Sequence, residues 1–272
     1  MDIMTQLEPV QRLSRDLRKA SGGGEMTTTE VRFLVDAYYM MQDNRIRCNN
    51  QIGSMSETEE PCIVLHWLAD QARTMENQIK AALNYYSNAD PLGQWARSQI
   101  GVGEVIAAGL LAHIDITKAP TVGNIWSFAG LDPTAKWEKG QKRPWNARLK
   151  TLCWNIGQSF MKFHNNENCF YGHIYAERKA QEVSKNLAGD FADTAERTLK
   201  EKKFSKTTEA YKAYIKGRLP DGRIELRAER YAVKLFLAHY HEVAYKLHYG
   251  KSPPLPYPIA HLNHAHKIEV PI

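Results

Sequence analysis

Residues 65–86 limit the possible folds of this chain more than any other segment. Apolar side chains recur there at alternating steps of three and four residues, which is the spacing of a coiled-coil seam. The members of the seam are Leu65, Leu68, Ala72, Met75, Ile79, Ala82 and Tyr86. They predict a helix of about 25 residues, roughly 40 Å long, whose apolar stripe must be covered by another helix.

The segment before the seam supplies a candidate for that other helix. Thr27 and Glu30 have the spacing of a capping box, and apolar residues follow them at helical steps. A turn at residues 53–58 then leads to a helix that begins near Pro61, because proline is tolerated in the first turn of a helix. Residues 27–90 are therefore predicted to form an antiparallel helical hairpin.

Two arrangements would cover the seam: the hairpin packs on itself, or it pairs with a second copy. Arg45 interrupts the apolar positions of the first helix, so that helix would cover the seam unevenly. An uncovered seam of this length would be a large exposed apolar stripe, and we therefore predict a homodimer. The predicted dimer contacts are Leu65, Leu68, Met75 and Ile79.

A glycine turn follows the hairpin. Gly101 and Gly103 allow the backbone to approach a partner closely, and they precede a helix rich in small residues. The free amides at the start of that helix offer hydrogen-bond donors to a phosphate. The turn is therefore a candidate phosphate contact.

A strongly basic segment lies farther along, at residues 136–150. It has six basic residues against one acid, Glu138, a net charge of +5 in a chain whose total is +6. The basic residues are Lys136, Lys139, Lys142, Arg143, Arg148 and Lys150. Trp137 and Trp145 lie among them, either stacking on bases or packing in the core. Cations with aromatic faces between them suit a phosphate backbone with unstacked bases, which predicts a nucleic-acid partner.

The order of these pieces resembles the C-terminal domain of the bridge-RNA-guided DEDD transposases. The resemblance covers roughly residues 62–160, and more weakly the helix Arg227–Gly250. It is carried by the long helix and by the motifs Gln99-Ile-Gly-Val-Gly103, Leu110-Leu-Ala-His-Ile114, Phe128-Ala-Gly-Leu-Asp-Pro133 and Trp145-Asn-Ala-Arg-Leu-Lys150. The same domain is similar to the Nop domain of box C/D ribonucleoproteins.

Two departures from the transposase pattern bear on chemistry. Only about 60 residues precede the long helix, too few for the RuvC-like nuclease domain of that family. The family's serine nucleophile falls five residues after Pro133, where this chain has Glu138, and a carboxylate cannot replace a serine that must form a phosphodiester. We therefore expect no enzyme activity and no catalytic residues.

This domain content also resembles the TIGR-associated (Tas) proteins, which use a guide RNA to find DNA. That resemblance implies a guide-RNA-binding protein that reaches target DNA through base pairing and does not cleave it, in the cytoplasm of a bacterial or phage-infected cell. Two other interpretations stay open: an accessory recombinase subunit, and a plain DNA-binding protein derived from a transposase.

The remaining sequence fits a cytoplasmic all-α protein. Its four cysteines have no CxxC spacing, no signal peptide is recognisable, and no apolar run is long enough to cross a bilayer. Residues 1–26 are predicted to be a flexible leader, and residues 91–272 a compact Nop-like module with a last helix at 223–249. Residues 186–222 are predicted to be a poorly ordered basic insertion, whose lysines form either a solvated face or phosphate contacts.

Two groups of side chains raise the question of a metal. His261, His264 and His266 lack nearby cysteines or carboxylates, and we expect them to pack or to hydrogen-bond RNA or a neighbouring helix. Acids such as Asp115 and Asp132, together with Glu104, occur at turns and helix starts, where carboxylates commonly cap. We therefore predict neither a metal site nor any other cofactor.

Overall fold

The computed structural model describes residues 26–55, 63–254 and 267–271, and within these ranges its regular secondary structure is helical, with no strand. This confirms the predicted all-α fold. The predicted leader, apart from Met26, and the three histidines at 261–266 lie outside the described residues. The helices are α1 (Thr28–Gly53), α2 (Ile63–Ala89), α3 (Pro91–Ser98), α4 (Glu104–His113), α5 (Val122–Phe128), α6 (Ala147–Lys162), α7 (Phe170–Ala188), α8 (Ala192–Glu201), α9 (Glu209–Ile215) and α10 (Asp221–Tyr249).

The chain divides into two compact units. The first contains the described residues up to Ser98 together with Gly103–Asp115, and the second contains Gln99–Val102 and the described residues from Ile116 onward. This division differs from the predicted boundary at residue 90, because α4 belongs with the hairpin. The small side chains Ala108 and Ala112 of α4 are buried in the same core as the two hairpin helices.

In the first unit, α1 and α2 form the predicted antiparallel hairpin. Val31 and Val35, near the start of α1, share a core with Ile79 and Leu83, near the end of α2. The predicted capping box is also present: the Thr27 side chain accepts from the Glu30 amide, and the Glu30 carboxylate accepts from the Thr27 amide at 2.7 Å. The sequence therefore predicted both the helix start and the pairing.

The prediction that Arg45 interrupts α1 and leaves the seam unevenly covered is wrong. Arg45 does not interrupt the hairpin, because its Nε donates to the Glu76 carboxylate of α2 at 2.7 Å. This bond holds a buried carboxylate in the hairpin interface, and Arg45 keeps the pKa of Glu76 below its ordinary value against the opposing effect of burial. The polar position in α1 is matched by a polar position in α2.

The buried stripe of α2 is rotated away from the predicted seam. Its members are Ala69, Ala72, Glu76, Ile79, Ala82, Leu83 and Ser87. Ile79 is only 8% exposed and lies in the hairpin core, so the prediction that it contacts a second copy is wrong. Leu65 and Met75 are half-buried, and Leu68 is 42% exposed. These three residues are the part of the predicted dimer surface that the hairpin leaves accessible.

In the second unit, α10 is the central helix and is confirmed close to its predicted bounds. It packs against α5, α6 and α7. Phe160 of α6 stacks on Tyr171 of α7, and both rings contact Phe236 of α10 edge-on. The helix ends at Gly250, whose φ of 66° lies in the left-handed region that ends many helices.

Residues 186–222 are ordered, contrary to prediction. They contain α8 and α9, and Ala195, Tyr214 and Leu219 form a small core there with Ile224 of α10. The side chain of Asn186 fixes the end of the segment by donating to the Leu219 carbonyl at 2.9 Å and accepting from the Leu219 amide at 2.8 Å. The sequence does not reveal this core, because its apolar members are few and lie far apart among many lysines.

None of the helices in the part of the chain that the structure describes combines the length and the apolar character needed to cross a membrane.

Candidate nucleic-acid interface

The two glycines of the predicted turn have different surroundings. Gly101 has a φ of 96°, and a Cβ atom there would lie 3.1 Å from Ser159 Oγ and 3.2 Å from Phe160 Cδ1. Ser159 also donates to the Gly101 carbonyl at 2.6 Å. Gly101 therefore serves packing within the second unit. Gly103, in the first unit, caps α4, and a Cβ atom there would meet nothing within 4 Å. The sequence predicted that a partner could approach the backbone closely at both glycines. The structure leaves room for such a partner at Gly103 but not at Gly101.

The basic segment belongs to a loop of the second unit that is closed at its base. After α5, the Leu131 amide donates to the Trp126 carbonyl at 2.8 Å, and the Asn146 amide returns to the Phe128 carbonyl at 2.9 Å. The Asn146 side chain then caps α6 by accepting from the amides of its first turn, at 3.0 Å each. The loop between these contacts is therefore held at both ends by hydrogen bonds.

The cations predicted to bind nucleic acid are all at the surface. Lys136, Lys139, Lys142, Arg143, Arg148 and Lys150 are each exposed. Asp132, at the start of the loop, does not neutralise them directly, because it accepts from the Thr134 amide at 2.9 Å and from its hydroxyl at 2.7 Å. These bonds lower the pKa of Asp132, and they confirm the prediction that this acid stabilises a turn.

The two loop tryptophans have different roles. Trp137 is 40% exposed, donates from Nε1 to the Gln141 carbonyl at 2.7 Å, and carries the Arg143 guanidinium 5.0 Å from its ring centroid. It therefore fixes Arg143 at the surface while its indole stays accessible.

Trp145, in contrast, is part of the base of the loop. It is half-buried, and the Lys150 ammonium lies 4.2 Å from its ring centroid. It also fills the space beside Gly130, where a Cβ atom would come within 2.8 Å of Trp145 Cγ and 3.0 Å of Lys150 Cδ. Of the two roles left open for Trp145, packing is the one that this geometry supports.

Two cations on α10, Arg230 and Lys234, lie outside the basic segment and were missed in the sequence. Partial burial lowers the pKa of both side chains, and the pKa of Lys150 is lowered first by burial and then by the charges of Arg230 and Arg143. We call Lys150, Arg230 and Lys234 the cationic face. A signal for it existed in the sequence, because Arg230 and Lys234 are four residues apart and lie on one side of a helix.

The cationic face has little compensating negative charge. Within the described ranges, no carboxylate lies within ion-pair distance of its three side chains, although the Asp132 charge opposes part of the lowering of the Lys234 pKa that burial causes. Other cations of this unit are paired: Arg227 binds Glu182 at 2.6 Å, for example. Like charges held together without counterions favour binding of an external anion.

Helical spacing predicts Trp126, Phe128, Trp154 and Phe160 as core residues, with base stacking as the second interpretation, but their burial differs. Phe160 is fully buried, as this spacing predicts. Trp154 is 54% exposed and Phe128 is 43% exposed, so the core prediction is wrong for these two. Trp126 is half-buried: it donates to the Lys234 carbonyl at 3.0 Å, and the Lys234 ammonium lies 4.1 Å from its ring centroid. Helical periodicity did not distinguish these residues, because it places a side chain on a face of its helix but does not show whether tertiary packing covers that face.

Glu104, which was considered for a metal, and two histidines of α10 have structural partners. Glu104 pairs with Lys80 at 3.4 Å, and His241 bonds the Ala119 carbonyl at 2.8 Å. His239 lies between the Tyr171 hydroxyl, at 2.8 Å, and the Ile268 carbonyl, at 2.9 Å. Burial lowers the pKa of both histidines. The described residues contain no group of three His, Cys, Asp or Glu side chains that could hold a metal ion.

Comparison of the chain with protein-family models, with curated proteins and with solved structures finds no match. The resemblance to the transposase C-terminal domain therefore rests on the sequence motifs, and the resemblance to Tas proteins rests on domain content.

Proposed function

We propose that this protein binds a guide RNA through the second unit and reaches target DNA by base pairing between that RNA and the DNA. The observation that carries the proposal is the surface formed by the basic loop and the cationic face. It combines the exposed cations of the loop, the accessible indole of Trp137, and a cationic face without carboxylates at ion-pair distance within the described ranges. The phosphates of a nucleic acid would neutralise these cations, and its unstacked bases would stack on the Trp137 indole.

The RNA is held by its backbone, and base pairing supplies sequence specificity. Phosphate contacts from lysine and arginine carry no sequence information, which is what a protein needs when it accepts guides of different sequence. Gly103 and the first amides of α4 provide a further phosphate contact in the first unit. Two copies, joined through Leu65, Leu68 and Met75, would hold one folded RNA at two places.

The same proposal excludes cleavage by this chain. Glu138 occupies the position of the transposase nucleophile, and it lies exposed in the basic loop. Asp132 and Glu104 are engaged in a turn and in an ion pair, respectively. We therefore infer that the protein acts in the cytoplasm as a DNA-targeting protein, and that any cutting or joining of DNA requires a different protein.

A binding experiment with recovered RNA tests the proposal. The RNA that co-purifies with the protein is sequenced, resynthesised and returned to RNA-free protein together with complementary or scrambled DNA. The expected result is a complex with complementary DNA only, and intact DNA after incubation with magnesium or manganese. Binding of duplex DNA without RNA would favour a plain DNA-binding protein, and metal-dependent cleavage that disappears in Asp132→Asn would contradict the absence of catalysis.

A further inference from the structure

The most exposed tryptophan of the described residues lies on α6, outside the basic loop. Trp154, on α6, is 54% exposed, and its indole has no hydrogen bond or cation partner there. An exposed indole leaves a large, rigid apolar ring available to a ligand. Trp126 and Trp145 differ from it, because a lysine ammonium already occupies one face of each ring.

The position of Trp154 places it beside the cationic face. Lys150, Trp154 and Gln158 follow one another at steps of four residues, so they lie in one row along α6. At the end of this row, Gln158 donates to Glu229 of α10 at 2.8 Å, and Glu229 precedes Arg230 in the chain. The exposed indole therefore lies between Lys150 and the point where α6 contacts α10, the helix that carries Arg230 and Lys234.

From this arrangement we propose that Trp154 is a stacking platform for an unpaired base, and that Lys150 and Arg230 bind the phosphates of the same strand. This inference rests on the proposed function, and it specifies the ligand as single-stranded nucleic acid. A duplex buries the faces of its bases, whereas a single strand offers them, and an aromatic ring flanked by cations is a common way to bind such a strand. An apolar partner protein is disfavoured because the charged Lys150 lies one helical turn from Trp154 on the same side of α6.

Fluorescence anisotropy with two polyanions tests the inference. The probes are a labelled oligouridylate of about 16 nucleotides and labelled heparin, which has charge but no bases. Trp154→Ala should bind the oligouridylate about 5-fold to 150-fold more weakly, the range that loss of one stacked base produces, and should bind heparin as the wild type does. Trp154→Phe, which keeps a ring, should recover most of the affinity.

Two controls separate stacking from charge and from folding. Lys150→Gln should weaken binding of both probes, because it removes a phosphate contact that needs no base. Leu187→Ala removes an apolar residue that is 61% exposed on α7 and should leave both affinities unchanged. Each variant is checked for an unaltered unfolding midpoint, which we expect because Trp154 and Leu187 lie at the surface.

The outcomes distinguish this inference from the proposed function. Wild-type affinity of Trp154→Ala for the oligouridylate would overturn the stacking role and leave the proposed function in place. Equal losses on oligouridylate and heparin would also overturn it, because the effect would then be one of charge. Wild-type protein that binds neither probe after removal of co-purified nucleic acid would overturn both.

Discussion

Gly130 is the position where a single methyl group should disturb both the fold and the binding surface. Its φ of 66° lies in the left-handed region, and a Cβ atom there would come within 2.8 Å of Trp145 Cγ and 3.0 Å of Lys150 Cδ. The Gly130→Ala variant must therefore move the indole that supports Lys150, and with it one cation of the cationic face.

The magnitude follows from two separate costs. A left-handed conformation costs a non-glycine residue about 1–2 kcal/mol. Insertion of a methyl group into a packed site costs about 1–3 kcal/mol more. Gly140→Ala is the matched control, because Gly140 has a φ of 92° but open space around its Cβ position. Both substitutions reduce the entropy of the unfolded chain equally, so the difference between the variants isolates the clash.

Urea unfolding followed by circular dichroism measures these costs, and anisotropy with labelled heparin measures the binding. We expect Gly130→Ala to lower the free energy of unfolding by about 1–3 kcal/mol more than Gly140→Ala, and to bind heparin more weakly. If the two variants have the same stability and the same affinity, then Trp145 does not position Lys150 as the geometry indicates.

Three further predictions concern charge and packing. Charge reversal at Lys142 and Arg143 should weaken RNA binding for every sequence and reduce the salt slope by about one unit for each phosphate contact removed; unchanged salt dependence would make the loop a solvated surface. Burial raises the pKa of Glu229, so its ionisation opposes folding at neutral pH, and Glu229→Gln should stabilise the protein there. This gain should vanish in urea titrations below about pH 4.3, where the wild-type carboxyl is protonated, and a gain that persists would contradict it. Ile79→Asp should unfold the hairpin, whereas Leu68→Asp should leave the circular dichroism unchanged and convert the proposed dimer to monomers in light scattering; a wild type that is already monomeric would contradict the dimer.

The sequence predicted the elements that depend on local signals. The capping box of α1, the helical hairpin and the last helix, α10, each follow from signals carried by residues close together in the chain. The prediction was wrong where a polar residue in the hairpin interface forms an ion pair with a residue far away in the sequence. Arg45 resembles an interruption in the sequence, because its partner Glu76 lies 31 residues away and across the hairpin.

The candidate site was predictable in part for the same reason. A run of six cations within fifteen residues identifies the basic loop without any knowledge of the fold. Arg230 and Lys234 join that surface only because α10 packs beside α6. Trp154 is exposed because, among the described residues, no helix covers its side of α6. Helical periodicity places a residue on a face, but it does not determine whether tertiary packing covers that face.

RNA bound by the second unit should contact the basic loop and the cationic face. Ultraviolet cross-linking in cells that produce the protein, with sequencing of the bound RNA and mass spectrometry of the cross-linked peptides, locates these contacts. We predict a discrete RNA population and cross-links concentrated within residues 136–154 and on the α10 peptide that contains Arg230. Absence of bound RNA, or cross-links confined to other surfaces, would contradict this prediction.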